Sequence, residues 1–287
     1  MSSGKEIKSQ IKSVNNMKKI TRAMEMVSAS KMRKTQDAML AARPYSKAIS
    51  DIVGHIAKTN PEYKHPYMDK REVKKVGYII VSTDRGLCGG LNINLFKEVL
   101  ANMEHHAKQG FETYCYTIGS KAEAFFKKVK TNIAASISHL GDRPASYELV
   151  GGTKVMIDLY DKNEIDELYI CYNDFVNTMS LVPTIQQVLP IIPTEDLHVK
   201  HQWDYIYEPD PKQLLTFLLV RFIEIQVYHA VVENIASEQA ARMVAMKSAS
   251  ENATEVISDL KLVYNKARQA SITQELSEIV AGASAVV

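Results

Sequence analysis

The chain has 287 residues, 46% apolar and 24% charged, which is enough for a packed core and argues against wholesale disorder. Its three cysteines (Cys88, Cys115, Cys171) are odd in number and lack CxxC spacing, which excludes a disulfide framework and a cysteine zinc site and suits a reducing compartment. The net charge of +2 hides an uneven distribution: residues 1–58 carry +8, residues 59–210 carry −5 and residues 211–287 carry −1. A basic segment on a mildly acidic chain predicts an acidic partner.

The N-terminal sequence has neither an apolar signal core nor an Arg/Ser-rich transit segment. The most hydrophobic run, Leu214 to Ile223, is about ten residues long and contains Arg221, so we expect no segment that spans a bilayer.

The first 58 residues predict a long helix. Between Lys5 and Ala57 the only helix-disfavouring residues are Pro44 and Gly54, and Pro44 is expected to kink or interrupt the helix. Apolar residues at helical spacing predict a pairing face, formed by Ile7, Ile11, Val14, Met17, Ile20, Met24 and Val27. A basic band surrounds the same helix: Lys18, Lys19, Arg22, Lys31, Arg33 and Lys34. The band is either a solvated face or a docking surface for an acidic protein; a nucleic-acid surface is disfavoured because no aromatic residues are interleaved.

Residues 59–210 predict an α/β domain. Strand patterns alternate with helical patterns, and this alternation predicts a largely parallel, Rossmann-like sheet. The expected strands are 76–82, 112–119, 168–172 and a proline-broken strand at 181–192; the expected helices are 92–109, 120–129 and 148–160.

Two glycine-rich segments raise the question of phosphate binding. The segment Thr83-Asp-Arg-Gly-Leu-Cys-Gly-Gly-Leu-Asn92 follows a strand, and Gly151-Gly-Thr-Lys154 lies in a later helix, but neither has GxGxxG or GxxxxGK[ST] spacing. Tight packing of helix on sheet is therefore the favoured use of these glycines.

The sequence gives little support for catalytic or metal-binding residues. Cys88 has no histidine nearby in sequence, and His105 and His106 lie on a predicted helix without an evident partner. His198 and His201 lie near acidic residues, but a loop with solvated histidines is favoured over a metal site. We therefore predict no catalytic, cofactor-binding or metal-binding residue and no cofactor.

The C-terminal 77 residues predict a second, longer helix. Asp210 is a candidate N-cap and Pro211 suits the first helical position, and neither Gly nor Pro occurs between Lys212 and Ala281. Such a helix is roughly 110 Å long, so we expect a rod that projects from the α/β domain. A seam with a seven-residue repeat predicts a left-handed coiled coil: Met246, Ala249, Ala253, Val256, Leu260, Val263, Ala267 and Ala270. Upstream, Gln239 and Arg242 either fix the register or simply break the seam.

Four segments in order carry a family resemblance: residues 18–34, 84–92, 237–253 and 268–283. The last is similar to the signature I-T-x-E-x-x-E-x-x-x-G-A, with Ile272, Thr273, Glu275, Glu278, Gly282 and Ala283 in place. Over essentially its whole length the chain resembles the gamma subunit of bacterial F-type ATP synthases. The absence of the cysteine-bearing insertion of the chloroplast form favours a bacterial member.

The resemblance implies an α/β fold in which a Rossmann-like domain (residues 59–210) is inserted between two terminal helices (residues 1–58 and 211–287). The helices form an antiparallel left-handed coiled coil, the shaft of a rotary motor inside three alpha and three beta subunits. The α/β domain binds the epsilon subunit and stands on the ring of c subunits. Proton flow turns ring and shaft, and ATP chemistry resides on beta, so the chain itself is not an enzyme. The implied location is peripheral, on the cytoplasmic face of a bacterial inner membrane.

The resemblance also implies three groups of contact residues. The first is the basic band around Met24, which also contains Lys18, Lys19, Arg22, Lys31 and Arg33. This band faces acidic helix-turn-helix segments of beta, which we call the beta levers. The second group, which we call the catch, makes polar contacts with beta loops at one orientation of the shaft. It consists of Arg268, Gln269 and Thr273. Tyr205, Tyr207 and Glu208 contact the c ring.

Overall fold

The computed structural model describes residues 4–59, 65–191 and 211–285. The chain forms two compact units, which we call the helix-pair unit (residues 1–28 and 242–287) and the α/β unit (residues 29–241). Helix α1 (Gly4–Thr59) and the C-terminal helix (Pro211–Ala285) each contribute to both. The division at residues 58 and 210 expected from the sequence stays a prediction.

Both terminal segments are helical over the expected lengths. Helix α1 has 56 residues and the C-terminal helix has 75. Pro44 does not interrupt α1 and is exposed within a continuous helix, so of the two expected effects only a kink stays a prediction. A proline removes one main-chain hydrogen bond, and a helix that continues on both sides tolerates this loss.

The α/β unit contains a five-stranded sheet whose strands alternate with helices. In chain order these are β1 (Lys75–Val81), α2 (Leu91–Lys108), β2 (Glu112–Ile118), α3 (Ser120–Val129), β3 (Asn132–Ile137), α4 (Ser146–Asp161), β4 (Glu167–Phe175) and β5 (Leu181–Leu189), followed by α5 (Pro211–Ala285). The strand order is β3-β2-β1-β4-β5. Strand β1 pairs in parallel with β2 and β4, β2 pairs in parallel with β3, and β4 pairs antiparallel with β5. The predicted largely parallel, Rossmann-like sheet is confirmed.

Two strands differ from the prediction. Strand β3 was not predicted, because its sequence Asn-Ile-Ala-Ala-Ser-Ile is only weakly apolar and alternates between exposed and partly buried positions. Strand β5 is continuous through Pro183, where a break was expected, and ends at Leu189 directly before Pro190, as expected of a proline. A strand at the sheet edge has no further neighbour, so a missing N–H there is tolerated.

Both faces of the sheet are covered, as expected for parallel strands. Along β1, Ile79 and Val81 belong to a core that includes residues of α4 and α5, whereas Tyr78 and Ile80 belong to a core with α2 and α3. This alternation follows from the two-residue period of a strand.

Helix α5 supplies an apolar stripe to the first core. Leu215, Leu219, Ile223 and Val227 recur every four residues and are at most 5% exposed. Within Leu215–Gly282, an 18-residue window is apolar enough to cross a bilayer by length and composition, and 39% of that window is buried in the protein. Core helices of other proteins pass the same test, and in this helix Leu215, Leu219, Ile223 and Val227 pack in the first core.

Candidate functional site

The seam of α1 in the helix-pair unit follows a seven-residue repeat. Ile7, Thr21 and Ser28 are buried, and the partly buried positions between them complete steps of four and three residues: Ile11, Val14, Lys18 and Glu25. The predicted pairing face is wrong at Met17, Ile20 and Val27, which are 55–58% exposed. Each lies one residue before a seam position, because the apolar stripe has a shorter mean step than the 3.5 residues of a coiled coil.

The seam of α5 shows the same displacement. Met246, Ala253, Leu260 and Ala267 are covered as predicted. Between them Ser250 is buried and Ile257 and Tyr264 are partly buried. The predicted Ala249 is partly buried too, whereas the predicted Val256, Val263 and Ala270 are exposed. Gly4 lies beside Tyr264, so the start of α1 meets the C-terminal part of α5 and the two helices pair antiparallel.

An apolar stripe is therefore left uncovered beside each seam. On α1 it consists of Met17, Ile20 and Val27. On α5 it includes Val256 and Val263 and continues beyond Ala267, where Ile272, Leu276, Ile279 and Val280 are 48–68% exposed. Contiguous exposed apolar residues mark protein-binding surfaces.

The predicted contact residues lie beside these stripes or outside the described part of the chain. In the helix-pair unit, Lys19 and Arg22 are exposed and Lys18 and Met24 are half-buried; on α5, all three catch residues (Arg268, Gln269, Thr273) are exposed. The predicted c-ring residues Tyr205, Tyr207 and Glu208 lie outside the described residues, as do His198 and His201.

The last two band residues belong to the α/β unit. Arg33 is exposed. The Lys31 ammonium instead donates to Asp142 at 2.6 Å, and the two side chains are 36% and 49% exposed. A pair this exposed contributes little to stability, so Lys31 can exchange Asp142 for another carboxylate at small cost.

A cleft of about 380 Å³ lies at the carboxyl ends of β1, β2 and β3, where nucleotides bind in many parallel α/β sheets. Here the chain's own carboxylate fills the anion position: Asp84 accepts hydrogen bonds at 2.9 Å from the Ser120 N–H and hydroxyl at the start of α3 and from the His139 N–H. Burial opposes ionisation of Asp84, but these three donors outweigh it and hold its pKa below the ordinary value. A phosphate at α3 would meet a fixed negative charge.

The predicted packing role holds at Gly152 of the two glycine-rich segments, whereas an added Cβ at Gly86 or Gly151 would meet nothing within 4 Å. Gly119, outside both segments, is a second close-packed glycine. A Cβ on Gly119, whose φ is +97°, would lie 2.5 Å from the Ser82 carbonyl oxygen. A Cβ on Gly152 would lie 2.2 Å from Cζ of Tyr116. Both positions therefore require glycine to bring main chain or helix close to a strand.

Cys88 is a structural residue in this arrangement. Its side chain is buried, and its Sγ accepts from Nδ2 of Asn92 at 3.5 Å. Among the residues that the structure describes, no three His, Cys, Asp or Glu side chains are grouped to hold a metal ion.

One polar cluster in the α/β unit was not predicted. Glu233, Asn234 and Ser237 of α5 are at most 1% exposed and bind main-chain groups of β4. The available signal was the placement of three polar residues inside an otherwise apolar stretch. Of the two polar residues that the sequence did single out, Gln239 is 2% and Arg242 8% exposed, and their role in register stays a prediction.

Known proteins share this combination of a sheet and long helices. A family model described as ATP synthase matches residues 3–286. The solved structures with a similar fold include the central stalk and c-ring of the Tetrahymena thermophila mitochondrial ATP synthase (21% identity, 80% of this chain and 99% of that chain, TM-score 0.62). Two Euglena gracilis mitochondrial ATP synthase structures are also similar. One shows the rotor in rotational state 1 (19% identity, 94% and 98% coverage, TM-score 0.62), and the other shows OSCP/F1/c-ring in rotational state 3 (20%, 99% and 94%, TM-score 0.67).

These findings define a central-stalk subunit of a rotary ATP synthase. Since the family model covers nearly the whole chain, the chain belongs to the gamma-subunit family of F-type ATP synthases. The gamma subunit is a noncatalytic rotor, and catalysis takes place on beta subunits.

Proposed function

We propose that this chain couples proton flow through a ring of c subunits to ATP synthesis and hydrolysis at beta-subunit catalytic sites. The observation that carries the proposal is the match of an ATP synthase family model to residues 3–286 on a fold with two long paired helices. Rotation of the shaft presents a different face to each beta subunit in turn, and each face favours a different beta conformation.

The partners we propose are three alpha and three beta subunits around the coiled coil, with epsilon and the c ring at the α/β domain. The similar solved structures are of a central stalk with a c-ring, and of OSCP, F1 and a c-ring. A gamma-subunit chain fits the same position in its own complex.

Three groups of residues are proposed as contacts. The band of Lys18, Lys19, Arg22, Met24, Lys31 and Arg33 faces acidic levers of beta, and its exposed cations Lys19, Arg22 and Arg33 support this. Exposed Arg268, Gln269 and Thr273 form a catch with beta loops. Tyr205, Tyr207 and Glu208 contact the c ring.

Energetics favour many weak contacts over one strong contact. An exposed ion pair is worth roughly 0–1 kcal/mol, so no single band residue traps the shaft at one angle. Moving a beta site from 1:99 to 99:1 needs about 5.5 kcal/mol of differential binding, which requires several such contacts together with the uncovered apolar stripes.

The proposed location is the cytoplasmic face of a bacterial inner membrane, where the chain is held peripherally through the c ring. The absence of the cysteine-bearing insertion of the chloroplast form supports a bacterial origin. The proposal adds no transmembrane segment, because the apolar stripe of α5 is packed in the α/β core.

Co-purification tests the proposal. Alpha and beta subunits are expressed with and without the chain, and complexes are isolated through a tag on beta. We expect the chain to co-elute and ATP hydrolysis to depend on it. An Arg22→Glu/Arg33→Glu variant should then weaken coupling, whereas Lys108→Glu on α2, an exposed cation outside the band, should not. Elution of the chain apart from alpha and beta would overturn the proposal.

A further inference from the structure

Strand β4 extends beyond the end of its parallel neighbour β1. Its pairing with β1 ends at Ile80↔Cys171, whereas its pairing with β5 continues to Phe175↔Leu181. The last four residues of β4 therefore have a strand on one edge only. Asn173 and Phe175 are 1% and 8% exposed, so their main-chain groups on the other edge need hydrogen-bond partners.

Side chains of α5 take the place of the missing strand. Oδ1 of Asn234 accepts from the N–H and from Nδ2 of Asn173, at 3.4 and 2.9 Å, and the Ser237 hydroxyl donates to the Asn173 carbonyl oxygen at 3.0 Å. Glu233 lies next to Asn234 and one helical turn before Ser237, and its Oε2 accepts from the Phe175 N–H at 3.3 Å. Residues 233, 234 and 237 form one continuous patch on a helix.

Apolar side chains surround the patch and do not by themselves select an orientation; a further polar contact of Glu233, from Oε1 to Nε2 of His229 at 3.5 Å, lies within α5 itself. Ala230, Val231 and Ala236 flank the patch and are at most 2% exposed. Apolar burial is non-directional, so it tolerates small rotation or sliding of a helix. Hydrogen bonds lose strength steeply when their distance or angle changes, so the polar patch resists both motions.

We infer that Glu233, Asn234 and Ser237 are positioning residues that fix the rotational and axial setting of α5 on the sheet. The inference rests on the proposed function, in which torque applied to the α/β domain must reach α5. A helix held only by apolar contacts would yield under torque, and part of the motion would be lost as slippage at this joint.

A distance measurement tests the inference independently of coupling. The three native cysteines are buried, so spin labels can be directed to cysteines introduced at Met179, which is 83% exposed at the β4–β5 turn, and at Arg221 on α5. In the full chain we expect one narrow distance distribution. Asn234→Leu/Ser237→Ala should shift or broaden it, and the milder Ser237→Ala should do so in part.

The matched control is Val231→Ala, which removes apolar contact from the same turns of α5 without touching the polar patch. It should lower the melting temperature and leave the distance distribution unchanged. An unchanged distribution in Asn234→Leu/Ser237→Ala, at a melting temperature lowered like that of Val231→Ala, would overturn the inference.

The assembled complex gives the second readout. We expect the complex with Asn234→Leu/Ser237→Ala to hydrolyse ATP as the parent does but to pump fewer protons per ATP hydrolysed. The complex with Val231→Ala should match the parent in both quantities. Equal pumping per ATP in parent and variant contradicts the inference. Absence of pumping in the parent contradicts the proposed function instead, and the distance measurement still decides the role of the patch.

Discussion

The ring of Tyr116 on β2 lies directly against the main chain of Gly152 on α4: a Cβ at residue 152 would stand 2.2 Å from Cζ and 2.5 Å from the hydroxyl oxygen of Tyr116. The neighbouring Gly151 has no atom within 4 Å of the same position. The pair explains why one glycine of the Gly-Gly-Thr segment is required inside a helix.

Gly152→Ala should therefore destabilise the chain by about 1–3 kcal/mol, the usual range for overpacking a filled core. Gly151→Ala should stabilise it by about 0.5–1 kcal/mol, because alanine favours a helix and the site is open. Urea unfolding of the two variants measures both effects. Equal stability of the two variants would show that α4 does not pack on β2 in this way.

The hydroxyl of Tyr116 provides a second test. It is buried and has no hydrogen-bond partner among the described residues, whereas the equally buried Tyr78 hydroxyl lies 2.6 Å from both Oδ1 of Asn102 and Nδ1 of His106. Tyr116→Phe should stabilise the chain by about 1 kcal/mol, because an unsatisfied buried polar group is removed. Tyr78→Phe should destabilise it by a similar amount. Thermal unfolding of both variants distinguishes these outcomes, and a loss of stability in Tyr116→Phe would refute the first.

Asp84 predicts a pH dependence. Its folded pKa lies below the ordinary value of 3.8 that applies when the chain is unfolded, so its contribution is complete above that value and is lost as pH falls through the folded pKa. Asp84→Asn should cost about 1 kcal/mol at pH 7, and the difference from the parent should shrink below roughly pH 4. The exposed Asp158→Asn is the control, with an expected change within about 0.5 kcal/mol. A difference for Asp84→Asn that stays constant into acid would contradict this role.

The seam of the helix-pair unit is tested by two leucine substitutions. Ser28 is 2% exposed and Val27 is 55% exposed, although apolar spacing alone places Val27 at the interface. Ser28→Leu should cost about 1–3 kcal/mol by overpacking, and Val27→Leu should change stability by less than about 0.5 kcal/mol. Chemical unfolding followed by circular dichroism measures both. The reverse ranking would restore the seam predicted from the sequence.

Much of the fold was predictable because long segments with a regular residue pattern indicate helices and strands reliably. The absence of Gly and Pro over Lys212–Ala281 indicated α5, and the apolar runs at β1, β2 and β4 indicated a parallel sheet. Strand β3 escaped prediction because an edge strand with small residues carries little periodic signal. The family signatures indicated the subunit class, which the residues alone did not.

The details of the site were less predictable for physical reasons. Apolar character marked a stripe on α1, but the seam includes the polar residues Thr21 and Ser28, which are 7% and 2% exposed. The contact between Asn234 and Asn173 joins residues far apart in sequence, and its geometry depends on where β1 stops. No local pattern encodes such a contact.

The central claim, that this chain is the rotor, is tested most directly by observing rotation. Beta subunits of the purified complex are fixed to a surface, and a probe is attached through a cysteine introduced at Met179, which is 83% exposed in the α/β unit. We expect unidirectional, stepwise rotation of the probe on addition of ATP. A probe that stays stationary while the same complexes hydrolyse ATP would contradict it.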